Sequence, residues 1–512
     1  SENIEIRGEV FILKNDFKKI DDKFANPRNA AGGSLRQKNS LETKKIPLQF
    51  IAYGFGYIQK NLFKTQFENL KFLKKIGFEV NQYNKVLSSI EDIMDYYLEL
   101  ENKRSDIKYD IDGIVYKVND LSFQKRLGHV SNSPRWAVAH KFSSVKATTK
   151  VLRIEIQIGR TGALTPVAKL EPVNIGGVIV SNATLHNEDE IIRKNIRETD
   201  TVTIQRAGDV IPQIISVDIN KRLSNSKKFI FPQKCPSCGS QVIKEFNSNT
   251  KKNDAITRCP DQHFDCKDIL KEKLKHFVSK DALNIEGLGK KVIDDFWNKK
   301  LIKYSYDIFD FNADILKKFD GWAEKSINNL KDSINASKRI SLDRFIFSLG
   351  IRHIGQESAK VLAKYFLNAQ KFFDTCKKLN KNNHQFIAEI QSIDGIGSSQ
   401  IDSLKKFFLN DQNLKIISRL VSALEIENYR YLSKKTPISG KSIMFTGGFA
   451  DKSRSELKSL AESLGAKIVS SISKKTDLLI LGSQKPTVRK INDAKKLNVK
   501  ILTEKDWNKI IN

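Results

Sequence analysis

The decamer Tyr109-Asp110-Ile111-Asp112-Gly113-Ile114-Val115-Tyr116-Lys117-Val118 sets two carboxylates, a glycine and a lysine close together. Alternation from Ile114 to Val118 marks a strand and sends Val115 and Lys117 to one face. A lysine fixed on a strand near a carboxylate suits phosphate chemistry. The cation meets phosphate oxygens, and the carboxylate holds a divalent metal or a hydroxyl. An ordinary half-buried strand after a turn has the same pattern, so the decamer alone leaves both readings open. A second constellation is Cys235-Pro-Ser-Cys238-Gly, completed by Cys259 and Cys266 after 20 and then 6 intervening residues. Four thiolates in two pairs around a polar loop fit a tetrahedral structural zinc with no position open for chemistry. His263, between the last two cysteines, is an alternative ligand, and four reduced cysteines in small cores are the bland alternative. Cys376 stands apart in a helical pattern and reads as a small buried hydrophobe.

The elements around the decamer read as mixed α/β. Ile4 to Ile12 is a strand with Arg7, Glu9 and Phe11 on one face. Phe24 to Gln37, FANPRNAAGGSLRQ, reads as a loop of small residues carrying Arg28 and Arg36. Its backbone can approach a ligand closely, and its arginines offer bidentate forks without acidic partners nearby. The strand from Gln49 to Phe55 contains Tyr53, which stacks on a base or fills the core. A helical segment from Ser89 to Leu100 leads to Arg104, and the strand Trp136 to Phe142 carries Lys141.

A chain of 512 residues is too long for one core and splits into several domains. It has no apolar run long enough to span a bilayer, no signal-peptide architecture at its start, and too few cysteines for a disulfide scaffold. The cytosol is the expected compartment. A formal charge of +29, spread along the chain, favours a polyanionic partner, with nucleic acid first, although a lysine-rich proteome also makes solvated faces basic.

From Lys150 to about Lys228 short, evenly spaced strands suggest a small barrel. Arg160 in GRTG and Arg206 in QRAGD fall at strand ends, placed to meet a phosphate backbone or simply solvated in turns. Residues 272 to 432 are helical, with recurring loops at Gly287-Leu288-Gly289, Gly321-Trp322-Ala323, Gly350 to Gly355, and Gly395-Ile396-Gly397. Such turns expose backbone N–H groups at a helix start, which bind DNA phosphates without reading sequence. Ala323 puts the second copy's contact in doubt. After a linker near Ser433 to Gly440, residues 441 to 512 alternate strand and helix, the mark of a parallel sheet. Thr446-Gly447-Gly448 lacks the GK[ST] of a phosphate loop, so ATP hydrolysis is unsupported; Thr446 and Lys475 read equally as a phosphate contact or as a turn and a solvated lysine.

IRGEVF, FANPRNAAGGSLRQ, YDIDGIVYKV and RWAVAHKF, in this order and spacing, resemble the nucleotidyltransferase domain of bacterial NAD-dependent DNA ligases, and the resemblance continues to the C-terminus. It implies a multidomain α/β and β chain: the C-terminal part of a nucleotidyltransferase (adenylation) domain over 1–145, an OB-fold barrel over 146–228, a four-cysteine zinc finger over 229–271, helix-hairpin-helix repeats over 272–432 and a C-terminal BRCT α/β domain over 438–512. The implied activity is sealing of nicks between a 3′-hydroxyl and a 5′-phosphate in duplex DNA through an AMP intermediate. In that family Glu9 would bind the adenosine side of NAD, Tyr53 would stack on adenine, and Lys117 and Lys141 would contact the AMP phosphate. Asp112 would support phosphate or metal chemistry with Mg2+ or Mn2+, and Arg28, Arg36 and Arg104 would grip the nicked strand. Zn2+ would occupy the cysteines.

The family's nucleophile is the lysine of a KxDG motif upstream of IRGEVF. The expectation is a chain that lacks this lysine and the N-terminal region, and that does not adenylate itself. Lys318-Phe319-Asp320-Gly321 has the KxDG string in a helical setting, not a strand, and is not expected to be the nucleophile. The resemblance further implies a bacterial, cytoplasmic, nucleoid-associated monomer with an unknown BRCT partner. A non-enzymatic scaffold derived from a ligase is the alternative, which the presence of Glu9, Lys117 and Lys141 opposes.

Overall fold

The computed structural model describes residues 3–511 apart from 21–23, 25, 38, 59–62, 131–132, 144, 176–177, 208–210, 248–250, 262–264, 380–386, 388–389, 392, 394, 430–435, 450–456, 459, 462–463, 470–471, 474–475 and 484–485. His263, Lys475 and the Arg206 side chain therefore lie outside the described residues. The chain divides into two compact units, residues 1–262 and 263–512.

In the first unit, β1 (Ile4–Phe11) pairs antiparallel with β2 (Gln49–Ile58). The register runs Arg7 to Gly54 and then Gly8 to Ala52, so Tyr53 has no partner in the ladder. A bulge of this kind re-aims the extra side chain. A Cβ on Gly8 would run into the Phe50 ring and the Ile51 carbonyl, so the ribbon closes here only on glycine. The stretch expected as a loop is a helix, α1 (Pro27–Ser34). Asn26 caps it, its Oδ1 accepting the Asn29 N–H at 2.8 Å, and Pro27 takes the first turn, where its missing N–H costs nothing. The buried face of α1 is made of Ala30 and Ala31, which pack on Ile12. Small residues here serve close helix packing, which removes the apolar period that large side chains would have shown.

Strand β3 (Gly113–Lys117) pairs antiparallel with β4 (Ala137–Lys141), Gly113 opposite Lys141 and Lys117 opposite Ala137. Opposed residues share a face, so Gly113, Val115, Lys117 and Lys141 lie on one side. The other side carries His140, on which Tyr97 of α2 (Ile90–Asn102) stacks at 4.0 Å between centroids. Ser89 caps α2, and the Tyr97 hydroxyl donates to the Lys141 carbonyl at 3.0 Å, which ties the helix to the strand end.

A closed barrel follows: β5 (Lys146–Ile158), β6 (Leu164–Ile175), β7 (Val178–Thr184), β8 (Thr201–Ala207) and β9 (Ile211–Val217), in spatial order β8-β9-β7-β6-β5 with β5 closing on β8. Its interior is filled by Val151, Leu164, Ala168, Leu170, Val202 and Ile204. A short ribbon, β10 (Ile243–Asn247) and β11 (Lys252–Arg258), comes next.

The second unit begins with helices around one large core that includes Phe296, Phe345, Phe366, Phe372 and Phe408. Four of these helices start from the same turn. Gly287, Gly321 and Gly395 have φ of 92°, 85° and 92°, the next residue turns inward, and Gly289, Ala323 or Gly397 caps the following helix. In the remaining copy the left-handed position is held by His353 at φ 60°, followed by buried Ile354 and capping Gly355. The repeat unit there is His353-Ile354-Gly355, the last three residues of the expected span Gly350 to Gly355. The chain's last sheet has four parallel strands, with Ser442–Thr446 and Leu478–Leu481 at its centre. Trp507 is fully buried against Phe445. Among the described residues no helix is long and apolar enough to cross a membrane.

Candidate active site

The face of the β3–β4 hairpin that carries the lysines is polar at one end and apolar at the other. At the polar end the Asp112 Oδ2 lies 2.5 Å from the Lys141 Nζ and 3.7 Å from the Arg28 Nη1. Burial pushes the Asp112 carboxyl up, but the hydrogen bond and charge of Lys141 and the charge of Arg28 outweigh it and hold it below its ordinary value. Asp112 is thus an ionised carboxylate between two cations. Its backbone carbonyl accepts the Phe142 N–H at 2.9 Å, which fixes the approach to the strand. Gly113 makes the geometry feasible: a Cβ there would overlap the His140 carbonyl and come within 2.7 Å of the Lys141 Cα. Asp110, the other carboxylate of the decamer, is turned elsewhere, 3.8 Å from the Lys14 Nζ.

At the apolar end the Lys117 Nζ stands 4.9 Å from the centroid of the Tyr53 ring and donates to the Tyr53 carbonyl at 3.5 Å. Burial depresses the Lys117 ammonium, the state of a cation waiting for an anion. Tyr53 is 43% exposed and Val115 is 55% exposed. Two apolar surfaces beside a desolvated cation fit a planar base with a phosphate attached. Val115 carries no role in the sequence reading, and its open position on the lysine face is what singles it out.

Arg104 lies with its guanidinium 5.8 Å from the Phe142 ring centroid, and its carbonyl accepts from the Lys14 Nζ at 3.3 Å. Lys14 also reaches the Ser105 carbonyl at 3.1 Å, pinning this loop; nothing in its sequence context signals that role. Glu9 is exposed on β1 opposite Ile51, and Arg36 is exposed just beyond α1. Among the described residues no hydrogen bond or ion pair joins Glu9 or Arg36 to the Asp112 cluster. Lys318 ends a short 3-10 helix (Ala313–Lys318), well inside the helical region.

The Sγ atoms of Cys235, Cys238, Cys259 and Cys266 all lie within 4.8 Å of one another. Tetrahedral zinc with Zn–S bonds of about 2.3 Å sets sulfurs roughly 3.8 Å apart, so the donor set and spacing fit the ion. The Cys235 N–H donates to the Ser240 carbonyl at 2.8 Å and the Gly239 N–H returns to the Cys235 carbonyl at 2.8 Å, closing the knuckle. Burial pushes the Cys238 thiol up, yet hydrogen bonds from Ser240, Cys259 and Cys235 bring it down to about 7, toward the thiolate a metal takes. Cys376 is wholly buried, and burial alone raises its thiol. Thr446 is buried too, its hydroxyl accepting the Thr487 N–H at 3.3 Å.

Fold and site together define a modular nucleotide-transferring enzyme with a barrel, a thiolate metal centre and helix-hairpin-helix turns. Family models match in the same order: the NAD-dependent DNA ligase adenylation domain at residues 1–145, the NAD-dependent DNA ligase OB-fold domain at 148–226, a helix-hairpin-helix motif at 344–417 and a BRCT domain at 433–511. The DNA ligase of Pelagibacter ubique is 55% identical over 99% of this chain and 74% of its own length. Those of Wolbachia pipientis wMel and Afipia carboxidovorans are 47% and 44% identical over 99% of the chain, and 75% and 73% of their own lengths. The chain belongs to the bacterial NAD-dependent DNA ligases.

The expectation of a chain lacking its N-terminal adenylation region is corrected by these matches. The adenylation-domain model covers residues 1–145 and the relatives align over nearly the whole chain, so the N-terminal adenylation domain counts among the domains present. That expectation rested on where the chain begins and on one short motif, whereas the match rests on the whole stretch from β1 to β4. Enzymatic ligase membership likewise sets aside the scaffold alternative.

Proposed function

We propose that this chain seals nicks in duplex DNA during replication and repair by passing AMP through the β3–β4 face, with NAD as the AMP donor. The observation that supports it most is the arrangement of that face: Asp112 between Lys141 and Arg28 at one end, Lys117 beside Tyr53 at the other. Tyr53 and Val115 flank the adenine, and Glu9 binds the adenosine side. Lys117 and Lys141 neutralise the AMP phosphate, and positioning plus charge neutralisation carry phosphoryl transfer. Asp112 orients Lys141, and Arg28, Arg36 and Arg104 hold the phosphates of the nicked strand.

Beyond the cysteines, no group of three or more metal-ligating side chains occurs among the described residues. Mg2+ commonly binds through one or two carboxylates completed by substrate phosphates. Mg2+ or Mn2+ at Asp112 would supply further neutralisation of the transferring phosphate. DNA is held through the Arg160 turn and through the helix starts after Gly289, Ala323, Gly355 and Gly397, whose caps have no side-chain hydrogen bond to the helix N–H groups. The +29 charge supports that partner. The same reading puts the protein in the bacterial cytoplasm at the nucleoid, as a monomer, with the BRCT domain facing a partner of its own.

Calorimetric titration with AMP and with NAD tests the site. Tyr53→Ala and Lys117→Ala are expected to weaken binding about tenfold or more, and Tyr53→Phe to bind nearly as the wild type. Equal affinity across all four proteins would remove the nucleotide from this face.

A further inference from the structure

The turn Gly159-Arg160-Thr161-Gly162, which joins β5 to β6, is held from outside the barrel. Its own hydrogen bonds run from the Gly159 N–H to the Ala163 carbonyl and from the Gly162 N–H to the Gly159 carbonyl, both 2.9 Å. Three further contacts come from the end of β11. Arg258 forms an antiparallel bridge with Ala163, its Nη1 donates to the Thr161 Oγ at 3.1 Å, and the Cys259 N–H donates to the Gly162 carbonyl at 2.8 Å. The residue that grips the turn is therefore the neighbour of a metal ligand, and the ligand's own backbone grips the next carbonyl.

Arg258 is 8% exposed, with the Asp254 carboxylate 3.5 Å from its Nη2. Burying a guanidinium and giving one of its donors to a neutral hydroxyl is a costly way to fill space. The arrangement becomes intelligible if the turn's placement matters. Within the turn the Arg160 Nε is buried without a hydrogen-bond partner. Packing holds the stem of Arg160, so a displaced turn carries its guanidinium along.

We propose that Arg258 is a positioning residue for Arg160: through Thr161 it fixes the turn against the metal-binding ribbon, so the barrel's grip on DNA phosphate is set by the ribbon. This rests on the reading of Arg160 as a phosphate contact. Binding of a nicked duplex, followed by fluorescence anisotropy over a range of KCl concentrations, separates the two. Arg160→Gln is expected to flatten the slope of log K against log salt by about 0.9, the value of one phosphate contact. Thr161→Val and Arg258→Met are expected to flatten it by the same amount while zinc content, measured by native mass spectrometry, stays at the wild-type level. Arg160→Gln combined with Arg258→Met is expected to add nothing further, and Arg258→Lys to recover part of the slope. A purely structural Arg258 would lower the melting temperature and leave the slope untouched. If Thr161→Val and Arg258→Met keep the wild-type slope while Arg160→Gln flattens it, the positioning role is wrong. If Arg160→Gln itself keeps the slope, the phosphate reading is wrong and the positioning role falls with it. Should Arg258→Met fail to fold, the isosteric Thr161→Val decides.

Discussion

Lys141 is registered opposite Gly113, yet its Nζ bends back to Asp112 and sits 2.5 Å from the Oδ2. The pair fixes a cation at the end of the hairpin while leaving the side chains 49% and 39% exposed, open to a substrate.

Asp112→Asn keeps the shape and removes the charge. Sealing of a nicked duplex is expected to fall about a hundredfold or more, with duplex affinity nearly unchanged, because the loss lies in charge placement at the reacting phosphate. The pH dependence has a definite sign. The folded carboxyl lies below its ordinary 3.8, so its stabilising contribution is present above that value and is lost as pH falls below it. The melting temperature of Asp112→Asn is therefore slightly below wild type at pH 7, and the gap closes below the usual carboxylate range. Solvent screening keeps the gap small.

Gly113→Ala tests the close approach of the two strands. The added Cβ meets the His140 carbonyl and the Lys141 Cα, both backbone, so neither side can yield cheaply. Urea unfolding is expected to show a loss of about 1 to 3 kcal/mol in the adenylation domain, together with loss of AMP binding as Lys141 is pushed off register.

The repeat turns give a contrast. Gly395 has φ 92° with no close neighbour to obstruct a methyl group, so Gly395→Ala isolates the backbone cost, about 1 to 2 kcal/mol. His353 already occupies this region at φ 60°, and it contacts the Ser403 hydroxyl at 3.1 Å. His353→Gly is expected to unfold no more easily than wild type by more than about 1 kcal/mol, because relief of strain offsets the lost contact. A destabilisation as large as that of Gly395→Ala would show that His353 is not a left-handed turn residue.

The cysteines divide by role. Cys238→Ser is expected to lose zinc and lower the melting temperature, whereas Cys376→Ser keeps full zinc content, since Cys376 is buried in the helical core and is not one of the four clustered thiols. Zinc retained by Cys238→Ser would remove it from the ligand set.

The hairpin was legible in the sequence because strand alternation and charge coincide there: Val115 and Lys117 announce a face, and Asp112 stands at its edge. The cysteine spacing was legible because metal geometry leaves little freedom. Helix α1 was not, since Ala30 and Ala31 pack as tightly as larger residues without showing an apolar period; the Asn26-Pro27 start was its one signal. The outward aim of Tyr53 depends on a bulge against β1, a relation between two strands that neither segment encodes alone. The third repeat turn was legible as the span Gly350 to Gly355, but its left-handed residue was not, because a histidine does there what glycine usually does. Glu9 and Arg36 were picked out by motif, and their exposed positions leave their roles to a bound substrate.

We read the Asp112–Lys141–Lys117 face as the place where an adenylylated phosphate on nicked DNA is handled. The most direct test is a nicked duplex carrying AMP already on the 5′-phosphate, supplied with Mg2+ and no NAD. Sealed strand and released AMP are expected with the wild-type chain, and rates reduced about a hundredfold in Asp112→Asn and Lys117→Ala. No sealing by the wild type, or sealing at the wild-type rate in both variants, would contradict it.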